Sequence, residues 1–267
     1  MRPLAVIGHL SRDVVAGGAP RIGGGSWHAA RALRALLHDA VVFAKCGEAE
    51  RRAFHRQLAA CGLPTAFSVG GETTGFSMSY DEHGVRTMTV EAVGEPWRAD
   101  EPERALLRGV EWLHVAPLLR SDFDTDTLAQ LARGRRILFD GQGLVRVPRQ
   151  GPLVLDDDFD RGLLRHVAIL KLAEEEAQAI IGDAELESLM SLGVPEVVVT
   201  FGLEGSLVLT RDTATRVPAH TVHTDPTGAG DAFAAAYLAA RAARHPPVPA
   251  ARRATALVSA LLSGSAR

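Results

Sequence analysis

The stretch "HTDPTGAGDAFAAAYLAARAA", His223 to Ala243, sets two carboxylates, Asp225 and Asp231, around a Gly228-Ala229-Gly230 turn. Asp and Gly are poor helix residues, whereas nearly everything after Asp231 is a good one, so the boundary reads as a helix N-terminus. Backbone N–H groups at such an end lack intrahelical partners and, with the positive end of the helix dipole, favour an anion. Gly228 and Gly230 leave a surface that a ligand can approach closely. Asp225 or Thr227 as an N-cap, with Asp231 in the first turn, accounts for the carboxylates through about 0.3–1 kcal/mol of stabilisation. It leaves the second glycine unexplained. An amide cradle beside a carboxylate is what a phosphate site needs when an acceptor hydroxyl must lose its proton.

Elements able to carry such a turn recur along the chain. "LAVIGH", "AVVFAKC", "EWLHVAP", "RRILFDG", "HVAILKL" and "EVVVTFG" read as buried strands. Between them, "HAARALRALL", "ERRAFHRQLAACG", "TDTLAQLARG" and "EEEAQAIIG" have helical patterns. This alternation predicts a mostly parallel sheet covered by helices on both faces, with ligands beyond the carboxyl ends of strands. "TTGFSMSYDEHGVRTMTV", Thr73 to Val90, instead alternates at period two around "DEHG" and predicts a hairpin flap. "RVPRQGP" and "RHPPVPA" read as loops.

The 267 residues suffice for one large α/β domain or two small ones. Hydrophobic residues make up 46% and charged residues 23%, the balance of a soluble globular protein. A net charge of −3 gives no overall basic footprint for nucleic acid. Cys46 and Cys61 make neither a metal-ligand spacing nor a disulfide framework. The apolar stretch in "MRPLAVIGHL" is too short for a signal peptide, and no apolar run approaches bilayer length. The expectation is a soluble cytoplasmic protein without nucleic-acid or membrane partners.

Together these segments resemble the ribokinase or PfkB family of carbohydrate kinases. "DPTGAGDAF" resembles its C-terminal signature, with Pro226 a minor departure, and "GGGSWHAARAL" its di-glycine signature, with Gly23 and Gly24 in the paired positions. "KCGEAERRAFHRQLAACGL", "TTGFSMSYDEHGVRTMTV" and "VTFGLEGSLV" are similar to the following strand and helix, the lid hairpin and the nucleotide-side turn. The resemblance implies a single ribokinase-like domain over 1–267, a three-layer α/β/α sandwich with a small β lid formed by about 10–24 and 72–92. It also implies an ATP- and Mg²⁺-dependent kinase. Asp231 would be the base facing the acceptor hydroxyl, and Gly228, Ala229 and Gly230 an anion hole for the γ-phosphoryl group.

On the acceptor side the resemblance assigns Asp13, Gly23 and Gly24, with His28 where the family usually has Asn. In "FDGQGLVRV", Gln142 and the late Arg146 look more like a small inositol-kinase-like branch than like ribokinase, so the expected substrate is a small sugar, polyol or cyclitol. Thr200, Gly202 and Gly205 match the turn that borders ATP. Lys171 would reach phosphates or cap its strand end. Glu176 in "KLAEEEA" matches a residue that organises Mg²⁺ through water, although Ala173 replaces the family Asn. Ala49 stands where an acidic residue is usual, and the short segment between Asp13 and Gly23 leaves little room for extra lid strands. Dimerisation through that lid stays open.

A dinucleotide fold would need Gly-x-Gly-x-x-Gly after its first strand, and a P-loop Gly-Lys-Ser/Thr; the sequence has neither setting. A nucleoside kinase of the same family, or a silent sugar or nucleotide binder on this fold, remains as an alternative.

Overall fold

The computed structural model describes residues 4–80, 86–102, 106–219 and 227–264; the hairpin tip "DEHG", Asp225 and Pro226 lie outside them. The first half runs β1 (Leu4–His9), β2 (Ser11–Val15), β3 (Arg21–Gly23), α1 (Gly25–Ala35), β4 (Ala40–Cys46), α2 (Glu48–Ala59) and β5 (Thr65–Val69). Next come β6 (Thr74–Tyr80), β7 (Arg86–Ala92), β8 (Trp112–Ala116), α3 (Thr125–Leu131), β9 (Arg136–Asp140) and α4 (Gln142–Val145). Then follow β10 (Gly151–Pro152), β11 (Ile169–Ala173), α5 (Glu174–Ile181), β12 (Glu196–Thr200), β13 (Ser206–Thr210) and β14 (Ala214–Val217). Helices α6 (Ala229–Ala242) and α7 (Pro247–Leu262) complete the described chain.

The main sheet has the order β14-β13-β12-β11-β9-β8-β1-β4-β5. It is parallel from β5 to β12 and antiparallel at β13 and β14. From β1 the chain builds first toward β4 and later toward β8, so the strand order reverses at β1. Crevices at such a reversal receive ligands.

Strand β1 shows why its run is apolar throughout. Leu4 and Val6 pack under α1, α6 and α7, while Ala5 and Ile7 enter the core on the opposite face. Both faces of a central parallel strand are covered, so period-two alternation disappears.

Small side chains let α6 sit deep. Ala232, Ala234, Ala235, Ala236, Ala239 and Ala240 are buried. The helix is also tied to the sheet by a buried ionic cluster. Tyr237 Oη donates to Glu196 Oε1 at 2.6 Å, and Arg241 donates to both Glu196 oxygens at 3.0 and 2.8 Å. Removing Glu196 strands two buried or half-buried donors. We therefore expect Glu196→Ala to destabilise by about 3–5 kcal/mol and Tyr237→Phe by about 1 kcal/mol, read as shifts in urea midpoint.

A second, five-stranded sheet, β10-β7-β6-β2-β3, takes in the segments expected to form the lid. The short Asp13–Gly23 segment accommodates β2 and β3 after all, because their antiparallel pair needs only three residue pairs, Ser11–Gly23, Arg12–Ile22 and Asp13–Arg21. The "RVPRQGP" loop adds β10 to the edge through Gly151 and Pro152. Phe76, Met78 and Val90 pack against Leu118 and Leu119, so the inner side of this sheet rests on the main body. "RHPPVPA" also departs from a loop. Pro246 is the N-cap of α7, and Pro247 opens the helix, where a missing N–H costs nothing.

Candidate active site

Gly228 is the N-cap of α6, with φ 79°. A side chain disfavours this left-handed conformation, and Gly228 has none to cap the helix with. Ala232 N–H already bonds Gly228 C=O at 2.9 Å, leaving the amides of Gly228, Ala229, Gly230 and Asp231 without an intrahelical acceptor. Residues 228–231 are half-buried, so the turn is not sealed inside the protein.

Two cavities meet at this turn. One, of about 480 Å³, is lined by Asp13, His28, Trp27, Gly228 and Ala229. The other, of about 100 Å³, is lined by Thr200, Gly202, Gly205, Gly230, Phe233 and again Ala229. Ala229 therefore faces both, and the free amides stand at their junction.

Asp231 follows the turn but lines neither cavity; its Oδ1 accepts from Gln142 Nε2 at 3.2 Å. A Cβ placed on Gly25 would lie 3.2 Å from the same oxygen, which fixes how closely the start of α1 approaches the carboxylate. Asp13 is buried, and a Cβ on Gly23 would overlap its Oδ2 at 1.9 Å. Gly24, with φ 95°, turns the chain from β3 into α1 against the His9 carbonyl. Burial raises the Asp13 pKa, and Ser11, His28 and Arg21 only partly offset it. Asp13 Oδ1 is buried with no hydrogen-bond partner among the described residues. His28 lies against the turn: a Cβ on Gly228 would come 2.0 Å from its Nδ1. Burial holds the His28 pKa down, although Asp231 and Asp13 pull it up.

On the smaller side, Thr200 Oγ1 donates to Leu172 C=O at 3.2 Å, and Phe201 N–H bonds Gly205 C=O at 2.9 Å to close the 202–205 turn. Lys171 is buried, and a Cβ on Gly230 would lie 2.9 Å from its Nζ. Burial disfavours the ammonium, but Asp140, Glu176 and Asp231 outweigh it, so its pKa rises. Lys171 thus sits beneath the amide turn instead of capping the end of β11. Glu176 Oε2 accepts Ala173 N–H at 2.8 Å, and its Oε1 lies 3.7 Å from Arg146. Burial raises the Glu176 pKa against the pull of Lys171 and Arg146.

Arg146, expected on the acceptor, thus stands beside Glu176. Helix α4 is a single turn, so Gln142 and Arg146, four residues apart, project on one side and serve Asp231 and Glu176 respectively. Among the described residues no group of three or more His, Cys, Asp or Glu side chains is arranged to hold a metal ion. Sequence reasoning missed His114, buried in β8, whose Nε2 lies 2.7 Å from Asp140 Oδ2. Its only signal was a lone imidazole in an apolar strand.

The pfkB family carbohydrate kinase profile matches residues 17–265. A pyrophosphate-dependent kinase of the ribokinase family, complexed with a pyrophosphate analogue and myo-inositol, superposes with TM-score 0.85. It is 24% identical over 97% of this chain and 95% of that one. A Burkholderia thailandensis nucleoside kinase in complex with inosine gives TM-score 0.76 at 18% identity, over 97% and 90% of the two chains. Ribokinase from Thermotoga maritima gives 0.75 at 16% identity, over 98% and 93%. At these identities the likeness is one of fold, a ribokinase-like α/β architecture. The profile, spanning nearly the whole sequence from lid to α7, says more: this chain is a member of the pfkB family of carbohydrate kinases.

Proposed function

We propose that this kinase phosphorylates a hydroxyl of a small polyol or cyclitol at the junction of the two cavities. The observation that carries the reading is Ala229, which lines both cavities in the same helical turn that bears Asp231. Asp13, Gly23, Gly24 and His28 hold the ring and its hydroxyls. Asp231, oriented by Gln142, takes the hydroxyl proton as the new O–P bond forms and the donor's bridging P–O bond breaks. The amides of Gly228, Ala229 and Gly230 and the Lys171 ammonium stabilise the charge spread over the transferring group. A carboxylate suffices as base because the hydroxyl turns acidic only late, as its bond to phosphorus develops.

The donor in this reading is ATP with Mg²⁺, as family membership suggests. Thr200, Gly202, Gly205 and Phe233 would border its nucleoside end, and Glu176 would act on the metal only through water. Pyrophosphate is the second reading. It is favoured by two cations, Lys171 and Arg146, clustered with Glu176, and by the small size of the adjoining cleft, about 100 Å³. The cyclitol lean draws on "FDGQGLVRV" and on the neighbour that binds myo-inositol.

The test is an end-point screen of the purified protein with inositols, sugars, polyols and nucleosides against ATP or pyrophosphate, each with Mg²⁺. We expect acceptor-dependent ADP or phosphate release with an inositol or polyol, abolished by EDTA. Turnover confined to nucleosides would replace the acceptor class. Ligand binding without turnover across the panel would make the chain a silent binder.

A further inference from the structure

The face of the main sheet beneath α6 is apolar along most of its length and becomes polar at one level. Trp112 in β8, Leu138 in β9 and Ile169 in β11 belong to the core under α6 and α7. Two residues further along each strand, on the same face, stand His114, Asp140 and Lys171. The pairing makes them neighbours. His114 is opposite Leu138 and so diagonal to Asp140, while Asp140 is directly opposite Lys171. His114 Nε2 lies 2.7 Å from Asp140 Oδ2, and Lys171 Nζ lies 3.3 Å from Asp140 Oδ1. His114 and Asp140 are fully buried, and the row ends at the Lys171 ammonium directly under Gly230.

We infer that His114 is a positioning residue for phosphoryl transfer: by fixing Asp140, it anchors Lys171 under the Gly228–Gly230 turn and away from the base. Three carboxylates, Asp140, Glu176 and Asp231, compete for this one ammonium. A Lys171 that swung onto Asp231 would engage the carboxylate that must take the acceptor proton. Asp140 prevents this only if one oxygen keeps facing Lys171, and the imidazole on its other oxygen sets that orientation. The ring has no competing task, since His114 Nδ1 has no hydrogen-bond partner among the described residues. This geometry favours the Nε2–H tautomer, which donates to Asp140. Apolar residues of similar volume in place of a buried ionic row are often neutral or stabilising, so stability alone does not account for this one. Its value lies in where it leaves the ammonium.

The inference rests on the proposed phosphotransfer. It is tested by a double-mutant cycle on the full chain with His114→Leu, His114→Gln, Lys171→Met and the Leu–Met double variant. Both kcat and calorimetric affinity for inorganic pyrophosphate are measured, alongside a melting curve for each protein. His114→Leu is expected to lower kcat about tenfold while the acceptor KM stays within about twofold. Gln, whose side-chain amide can still donate to Asp140, restores most of the loss. In the Lys171→Met background, His114→Leu costs less than about twofold, because the anchor has nothing left to hold. Pyrophosphate affinity follows the same non-additive pattern. Equal losses in both backgrounds, or a Gln variant no better than Leu at matched melting temperature, would overturn the inference while leaving the kinase reading intact. A wild-type protein that turns over no acceptor and binds no pyrophosphate would remove both.

Discussion

Asp231→Asn is expected to lower turnover by about 10²–10⁴ while the protein melts as before. The replacement keeps the volume and leaves an oxygen for Gln142 Nε2, which bonds Oδ1 in the wild type at 3.2 Å. What disappears is the capacity to accept a proton and one negative charge in the first turn of α6. The charge contributes about 0.3–1 kcal/mol at a helix start. The turnover loss corresponds to about 3–5 kcal/mol of activation free energy. The two magnitudes separate chemistry from folding, so steady-state kinetics beside a denaturation curve suffices. Turnover within a few-fold of wild type would exclude Asp231 as the base.

Gly228→Ala carries the second large effect, for two reasons that add. The residue has φ 79°, which costs a side-chain-bearing residue about 1–2 kcal/mol. Its Cβ would also come 2.0 Å from His28 Nδ1, so either the ring or the turn must move. A displaced turn misaims the amides, and loss of one such donor costs about 10²–10³ in kcat. A displaced ring raises the acceptor KM instead. Gly193, just before β12, supplies the control, since it has φ 79° and ψ 5° as Gly228 has φ 79° and ψ 2°, and a Cβ there would meet nothing within 4 Å. Gly193→Ala should show the backbone strain alone, with kcat unchanged. Equal kinetic losses at both positions would mean that the turn around Gly228 has no special role.

Much of this was readable from residue order. The six apolar runs became strands of the main sheet because each is bounded by helix-forming or turn residues and is long enough to be buried on both faces. The Gly-Ala-Gly turn was readable because two glycines before an alanine-rich run are locally inexplicable unless something approaches closely. Asp13, Gly23, Gly24, His28 and Asp231 converge in space as a group, and Thr200, Gly202 and Gly205 form another. Less readable were features set by tertiary contact. Helix α7 hid behind Pro246, Pro247 and Pro249, residues usually read as breakers but tolerated in a first turn. The pairing of Arg146 with Glu176 was not readable, because its direction depends on the one-turn length of α4. His114 was invisible because its significance lies in strand register, in which β8 brings it within reach of Asp140. No spacing within one segment encodes that.

The methyl-lined underside of α6 has a further consequence for how this enzyme can change. Ala234 and Ala235 are wholly inaccessible, so a bulkier residue at either must lever the helix off its seat, at about 1–3 kcal/mol or more. The machinery bolted to that helix is therefore hard to retune from below. Trp27 and Arg31, at the rim of the larger cavity, carry no such constraint. New acceptor preferences should arise first by substitution along that rim, with the phosphoryl-handling floor inherited unaltered.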